Sequence, residues 1–315
     1  MKKTLGIIIL LLAVLLGAYF STGLITERTL KRNLKTLNQA NGLSVDLVGY
    51  HRSLFNSKAD LTWHMQVPEK ILPNEAGRSV VVPPKVYSFD MPLVIYHGPV
   101  LFEEGRVRFG LGAARGNLAL PDAFSKEFEA RFSSQSTQPV LALKLFVNYL
   151  NKMRLEIGLP AFQLISKQHQ DQFEWLGMHS DLYFSPESTR LTGHFTLDGL
   201  RLVGKKFRVI LNKVTSSYDI HKAKNALFLG EADLHFPVLQ VSDNQQIEFE
   251  LKQLALGSKS ALQGNLFDSS LHAAFTRLIS KSKTYGPGEF QVAIKNLDAN
   301  VLAQLNQHIN QLQQA

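Results

Sequence analysis

The chain has 315 residues, 45% of them hydrophobic, a net charge of +8 and no cysteine. Absence of cysteine excludes disulfides, thiolate metal sites, thiol catalysis and anchoring through a lipidated N-terminal cysteine. The positive charge is scattered rather than set in a stripe interleaved with stacking aromatics, so nucleic acid is not an expected partner; 20 phenylalanines spread along the chain fit aromatic filling of β layers.

In chain order, Lys2 and Lys3 precede an apolar run from Leu5 to Phe20 that continues to Ile25. As a helix, Leu5 to Ile25 would span about 31 Å, enough for a hydrocarbon core. The spacing predicts an uncleaved transmembrane signal-anchor over 1–25. The rival is a cleaved signal peptide: Ala18-Tyr19-Phe20 fails as a site because it ends on a large residue where cleavage needs a small one, and Ser21-Thr22-Gly23 passes only weakly. Leu30, Leu34 and Leu37 mark one face of a juxtamembrane amphipathic helix over 26–42, ended by Gly42. Lys2, Lys3, Arg28, Lys31, Arg32 and Lys35 are the expected contacts with anionic head groups. Their count alone favours a cytoplasmic body, although long domains translocate largely regardless of charge.

From Leu43 the period becomes two. Leu43, Val45 and Leu47 alternate with polar residues, and so do Ala59, Leu61, Trp63, Met65 and Val67, which predicts a hairpin with one dry face. Residues 68–84 read as a loop. Val86 to Ile95 reads as a strand covered on both faces, and the glycines from Gly110 to Gly116 as a turn or kinked edge. Phe124, Phe128 and Phe132 predict a short helix. Further strands turn at Ser185-Pro186-Glu187-Ser188. Three later segments then change alternation phase: across Gly199, across Gly230, and between Leu251 and Leu254. A one-residue slip flips every later side chain unless a bend absorbs it. The expected fold is therefore mainly β, with long bent antiparallel strands in a curled sheet filling 43–315. Leu266 to Ile279 fits helix and strand equally. Asp298 is placed to cap a C-terminal amphipathic helix over 298–313.

Three stretches, with the N-terminal anchor, carry a family resemblance: Tyr50 to Ala59, Ile95-Tyr96-His97-Gly98-Pro99, and Tyr285-Gly286-Pro287 followed by Asn296-Leu297-Asp298-Ala299. In this order they resemble the YdgA-like family of Gram-negative envelope proteins of unknown function. The resemblance implies an inner-membrane anchor with a periplasmic β-rich body. It supplies no catalytic residues, and leaves His97, Gly98, Pro99, Tyr285, Gly286 and Pro287 as motif residues without a role.

No histidine pair has metal-ligand spacing and no Gly-x-Ser-x-Gly elbow is present, so neither metal nor cofactor is expected. Two functions fit. One is a non-enzymatic envelope protein binding lipid, or a partner protein, on the sheet. The other is a hydrolase of envelope polymers, which requires convergent carboxylates or a Ser–His pair, with His97 the candidate histidine.

Overall fold

The computed structural model describes the backbone of residues 2–37, 43–67, 70–73, 79–119, 122–168, 171–223, 227–243 and 246–305. It describes the side chains within them except those of 2–13, 15, 36–37, 43, 67, 70–73, 79–82 and 122–123.

Helix α1 runs from Lys2 to Leu37 without a break, 36 residues long. Residues 26–37 are thus not a separate juxtamembrane helix. No glycine or proline lies between Leu24 and Gln39, so nothing interrupts the hydrogen-bond ladder where the apolar run ends. Gly42 lies outside the described residues. Among the described residues no helix is long and apolar enough to cross a membrane, so the structure supports a helix over 2–25 but not the expected membrane span.

The chain divides into two compact units. The first holds residues 1–128 and 138–151, the second 129–137 and 152–315. In unit 1, strands β1 (Leu43–Arg52) and β2 (Asn56–Val67) form the expected hairpin. Two short strands, β3 (Lys70–Pro73) and β4 (Ser79–Val82), pair inside the segment expected to be loop. Strand β5 (Lys85–His97) joins β2. A small hairpin follows, β6 (Val100–Glu103) with β7 (Arg106–Phe109). Strand β8 (Gly112–Ala119) then pairs with β5 on one side and β9 (Val140–Val147) on the other. The glycine-rich stretch is therefore mostly an interior strand, not an edge. At Gly116 a Cβ would sit 3.1 Å from the Pro92 carbonyl and 3.2 Å from Leu93, so the small residue makes room for the neighbouring strand. Helix α2 (Asp122–Arg131) lies where the phenylalanine spacing puts it.

The core of unit 1 is Val45, Leu61 and Met91, with Leu34 of α1 and Trp63 packed on it. A second cluster, Tyr96, Leu101 and Ala113, fills the far end of the sheet. Strand β5 is covered on both faces only there, at Ile95, Tyr96 and His97.

Unit 2 is built from β10 (Met153–Leu159), β11 (Phe162–Ile165), β12 (Gln172–Trp175), β13 (Met178–Phe184), β14 (Arg190–Val203), β15 (Phe207–Lys222), β16 (Phe228–Asp243), β17 (Gln246–Gln263), β18 (Leu266–Phe275), β19 (Arg277–Ser280), β20 (Lys283–Tyr285) and β21 (Gly288–Asp298). All pairings given for these strands are antiparallel. The segment 266–279 is thus strand. The 299–305 helix starts where expected: Asp298 Oδ1 accepts from the backbone N–H groups of Asn300 and Val301 at 2.8 and 3.3 Å. The rest of the 298–313 helix lies outside the described residues.

The phase changes at Gly199 and at Leu251/Leu254 have one cause. Strand β14 pairs with β13 up to Leu197 and with β12 from Leu200; β17 pairs with β19 up to Lys252 and with β18 from Ala255. The ladders between β14 and β17 skip the matching positions: Asp198 with Lys213, residues 212–214 with 236–238, and Pro237 with Gln253. Register is the same on both sides of each gap, so these are not bulges in single strands but one crease crossing the sheet. Gly177, Gly199 and Gln253 take positive φ along it, and Pro237 brings no N–H to the ladder. Backbone hydrogen bonds close across it, from Leu176 N to Gly199 O and from Asp198 N to Gly177 O.

Gly230 is a separate kink. It has φ +140° and an added Cβ would lie 1.9 Å from the Asp219 carbonyl. Gly230→Ala is expected to destabilise unit 2 by about 2–5 kcal/mol, the sum of backbone strain and overpacking. Denaturation followed by Trp175 fluorescence in a Trp63→Phe background measures it, since each unit holds one tryptophan.

Candidate functional site

The first motif pair builds a seat for α1 inside unit 1. The β1–β2 turn is closed by a hydrogen bond from Ser53 N to Asn56 O at 2.8 Å, and His97 N donates to Phe55 O at 3.2 Å. Tyr19 of α1, 2% exposed, enters the hollow between them. Its hydroxyl donates to the Val100 carbonyl at 2.6 Å, and its ring meets Phe55 edge-on at 4.9 Å. Gly98 has φ +119°, and a Cβ there would lie 2.0 Å from the Tyr19 ring. One turn later Gly23 rests on His97: a Cβ would come within 2.9 Å of its Cε1. Arg52 lies over the Phe20 ring at 4.9 Å, and Glu27 comes within 3.8 Å of Arg52.

Beneath the helix, His97 Nε2 and Ser57 Oγ are 3.1 Å apart. This is the Ser–His pair the hydrolase reading requires, but Ser57 is 0% and His97 1% exposed. The imidazole Nδ1 is sealed from solvent beside the Asn56 backbone, and among the described residues no carboxylate orients it. With Gly23 on top, no substrate reaches the pair; its chemistry is that of a buried polar contact.

Burial pushes the His97 imidazole below its ordinary value, and the Arg52 charge adds to this against the Asn56 backbone. The unfolded chain therefore binds the extra proton first. The stabilisation is complete above about pH 6.5 and is lost as pH falls from there toward the folded value. Thermal melts of unit 1 between pH 7 and 5 are expected to show this loss, and His97→Gln to flatten it.

The second motif seats another ring, in unit 2. Gly286 has φ +106°, and a Cβ on Gly286 or Gly288 would lie 3.0 or 2.4 Å from the Phe275 ring. Phe275 borders the crease. Each Gly-Pro motif thus makes room for one aromatic side chain, Tyr19 in unit 1 and Phe275 in unit 2. Of the expected head-group contacts, Lys31 pairs with Glu27 at 2.7 Å, while Arg28, Lys31, Arg32 and Lys35 follow on the part of α1 that reaches Leu34 and the core. The side chains of Lys2 and Lys3 are not among those described.

The crease organises a surface that sequence reading missed. On one side of it Trp175, Leu200, Leu211, Leu239, Leu251 and Leu278 are successive cross-strand partners on six strands. The next row outward is Phe173, Leu202, Val209, Val241 and Phe249. Across the crease each strand resumes with an apolar residue three positions away: Met178, Leu197, Val214, Phe236, Leu254 and Phe275. Of these twelve crease-flanking residues, only Leu197 and Val214 are buried; the others are half-buried. The alternate side chains are mostly polar, with Leu176, Ile210, Val238 and Ile279 among them. They include His194, Asp233 and His272, which line a shallow groove of about 390 Å³, and Arg201 paired with Glu174 at 3.2 Å. Asp181, 5% exposed, belongs to this set. Burial opposes its ionisation, but hydrogen bonds from Arg154 and His179 hold it below the usual carboxylate range. Among the described residues no group of three or more histidines and carboxylates is placed to hold a metal ion.

Over residues 1–315 the sequence matches the model of a bacterial protein family of unknown function, DUF945. The chain belongs to this family. No curated protein and no solved structure matches it. The membership agrees with the resemblance in being bacterial and of unknown function, and carries no activity to the Tyr19 seat or to the creased sheet of this DUF945 protein.

Proposed function

We propose that this DUF945 protein is a non-enzymatic, membrane-anchored envelope protein that binds the acyl chains of lipid on the apolar side of the creased sheet. The observation carrying this reading is the row of Trp175 and five leucines, continuous over six strands and left half-buried. A soluble sheet normally covers such a face with a second layer, because each buried leucine gains about 1.5–3 kcal/mol. An acyl chain lying along the row gains the same contacts without a polar group to satisfy. The apolar segment Leu5 to Phe20, on a helical backbone, supports the anchor. The likeness to YdgA-like proteins supports an inner-membrane location with the body in the periplasm.

The test uses the full chain in a detergent without acyl chains, stripped of lipid and titrated with a fluorescent long-chain fatty acid. Saturable binding, competed by phospholipid and kept when the Tyr19 seat is mutated, supports the reading. Absence of saturable binding, with both tryptophans in their folded environments, removes it and leaves a partner protein as the occupant of the face.

A further inference from the structure

The end of unit 1 from which the apolar helix emerges is itself apolar. Helix α1 crosses this unit in a defined direction. Leu34 packs on the Val45–Leu61–Met91 cluster, Gly23 on His97, and Tyr19 on Gly98 and Val100 beyond the strand ends. Residues 2–18 therefore project past the loops at that end. The β1–β2 turn, the β6–β7 hairpin and the segment after β9 meet there, since Asn56 pairs with Tyr96, His97 with Gly112, and Gly112 with Val147. Around the helix exit these loops expose Phe55 (42%), Phe102 (49%), Phe109 (67%), Leu111 (48%) and Leu150 (70%), beside Phe20 of the helix itself (56%). Several of them touch: Phe55 stacks edge-on between Tyr19 and Phe102, at 4.9 and 5.4 Å, Phe109 pairs with Val100 two residues from Phe102, and Tyr149 bonds the Pro99 carbonyl. The carboxylates of the β6–β7 hairpin, Glu103 and Glu104, are each paired with an arginine, Arg108 and Arg115.

Length decides what covers this patch. A span needs about 20 apolar residues for a hydrocarbon core of about 30 Å. Tyr19 and Gly23 are held by unit 1, and the free helix, residues 2–18, reaches only about 25 Å. The sequence that would complete the span, Tyr19 to Ile25, enters the bilayer only if the end of unit 1 enters with it. We propose that this end is a collar immersed in the lipid leaflet around its own anchor, with the exposed phenylalanines and leucines in the acyl region and Tyr149 near the head groups. The collar rests on the anchor reading and not on lipid binding by the creased sheet. It also requires the N-terminal segment to be retained, because cleavage after Gly23 would remove Tyr19 from the seat.

The native chain has no cysteine, so single labels are clean. Nitroxides placed through Leu11→Cys, Phe109→Cys, Leu150→Cys and Val86→Cys are compared in the full chain in vesicles of phosphatidylethanolamine and phosphatidylglycerol. Val86, 58% exposed at the other end of β5, is the aqueous control. Labels at 11, 109 and 150 are expected to be relaxed more by oxygen than by a water-soluble nickel complex, and the label at 86 the reverse. If 109 and 150 behave like 86 while 11 reports hydrocarbon, the anchor stands and the collar is overturned. If 11 reports water, the anchor fails and takes the collar with it.

Discussion

Tyr19→Ala is expected to destabilise unit 1 by about 3–5 kcal/mol, the range for truncating a fully buried aromatic side chain to alanine. The ring is 2% exposed and its hydroxyl satisfies the Val100 carbonyl. Tyr19→Phe keeps the packing and loses only that bond, so its cost is expected near 1 kcal/mol. Gly98→Val should match the alanine change, because its Cβ would occupy the place of the ring, 2.0 Å from Cε1. The two effects are coupled. In a Tyr19→Ala background, Gly98→Ala should cost only the strain of its positive φ, about 1 kcal/mol. Denaturation followed by Trp63 fluorescence in a Trp175→Phe background measures all four, together with Gly98→Ala alone, which closes the cycle. Additive costs would mean that Tyr19 does not occupy the Gly98 hollow.

The second large effect is on binding. Leu239 lies opposite Leu211 and Leu251 in the apolar row, while Gln240 points to the other face, between Ile210 and Glu250. Leu239→Glu removes a leucine contact and sets a carboxylate against the bound chain. Together these are expected to weaken acyl binding by about 2–4 kcal/mol, roughly 30- to 700-fold in Kd. Gln240→Glu, one residue away with the opposite direction, should leave Kd within about twofold. Leu239 is only half-buried, so unit 2 is expected to stay folded, with its Trp175 emission unchanged.

Much of the fold was legible because it rests on local period. Ala59, Leu61 and Trp63 alternate against Lys58, Asp60 and Thr62, and become the inner and outer faces of β2; Asp298 reads as a cap and is one. What failed was non-local or depended on partners. Thr26 and Glu27 look like a boundary because hydropathy changes there, yet helix geometry needs only the absence of a breaker. The spacing of Leu271, Phe275 and Leu278 looks helical because Phe275 to Leu278 is the three-residue step of the crease. That step recurs at Trp175/Met178, Leu197/Leu200, Leu211/Val214, Phe236/Leu239 and Leu251/Leu254, and so was present in the sequence. Its meaning appears only when register aligns the six. The motif residues His97, Gly98 and Pro99 were visible as a pattern, but the ring they serve, Tyr19, lies 81 residues before the Val100 carbonyl it bonds. The division of 43–315 into two units left no mark in composition.

The binding face is tested most directly by a photoreactive p-benzoylphenylalanine placed at Leu239 in the full chain, with Gln240 as the comparison, irradiated in its native membrane. The account predicts an acyl lipid adduct at 239 and none at 240. Equal lipid capture at both positions, or a protein adduct at 239 in place of lipid, would contradict it.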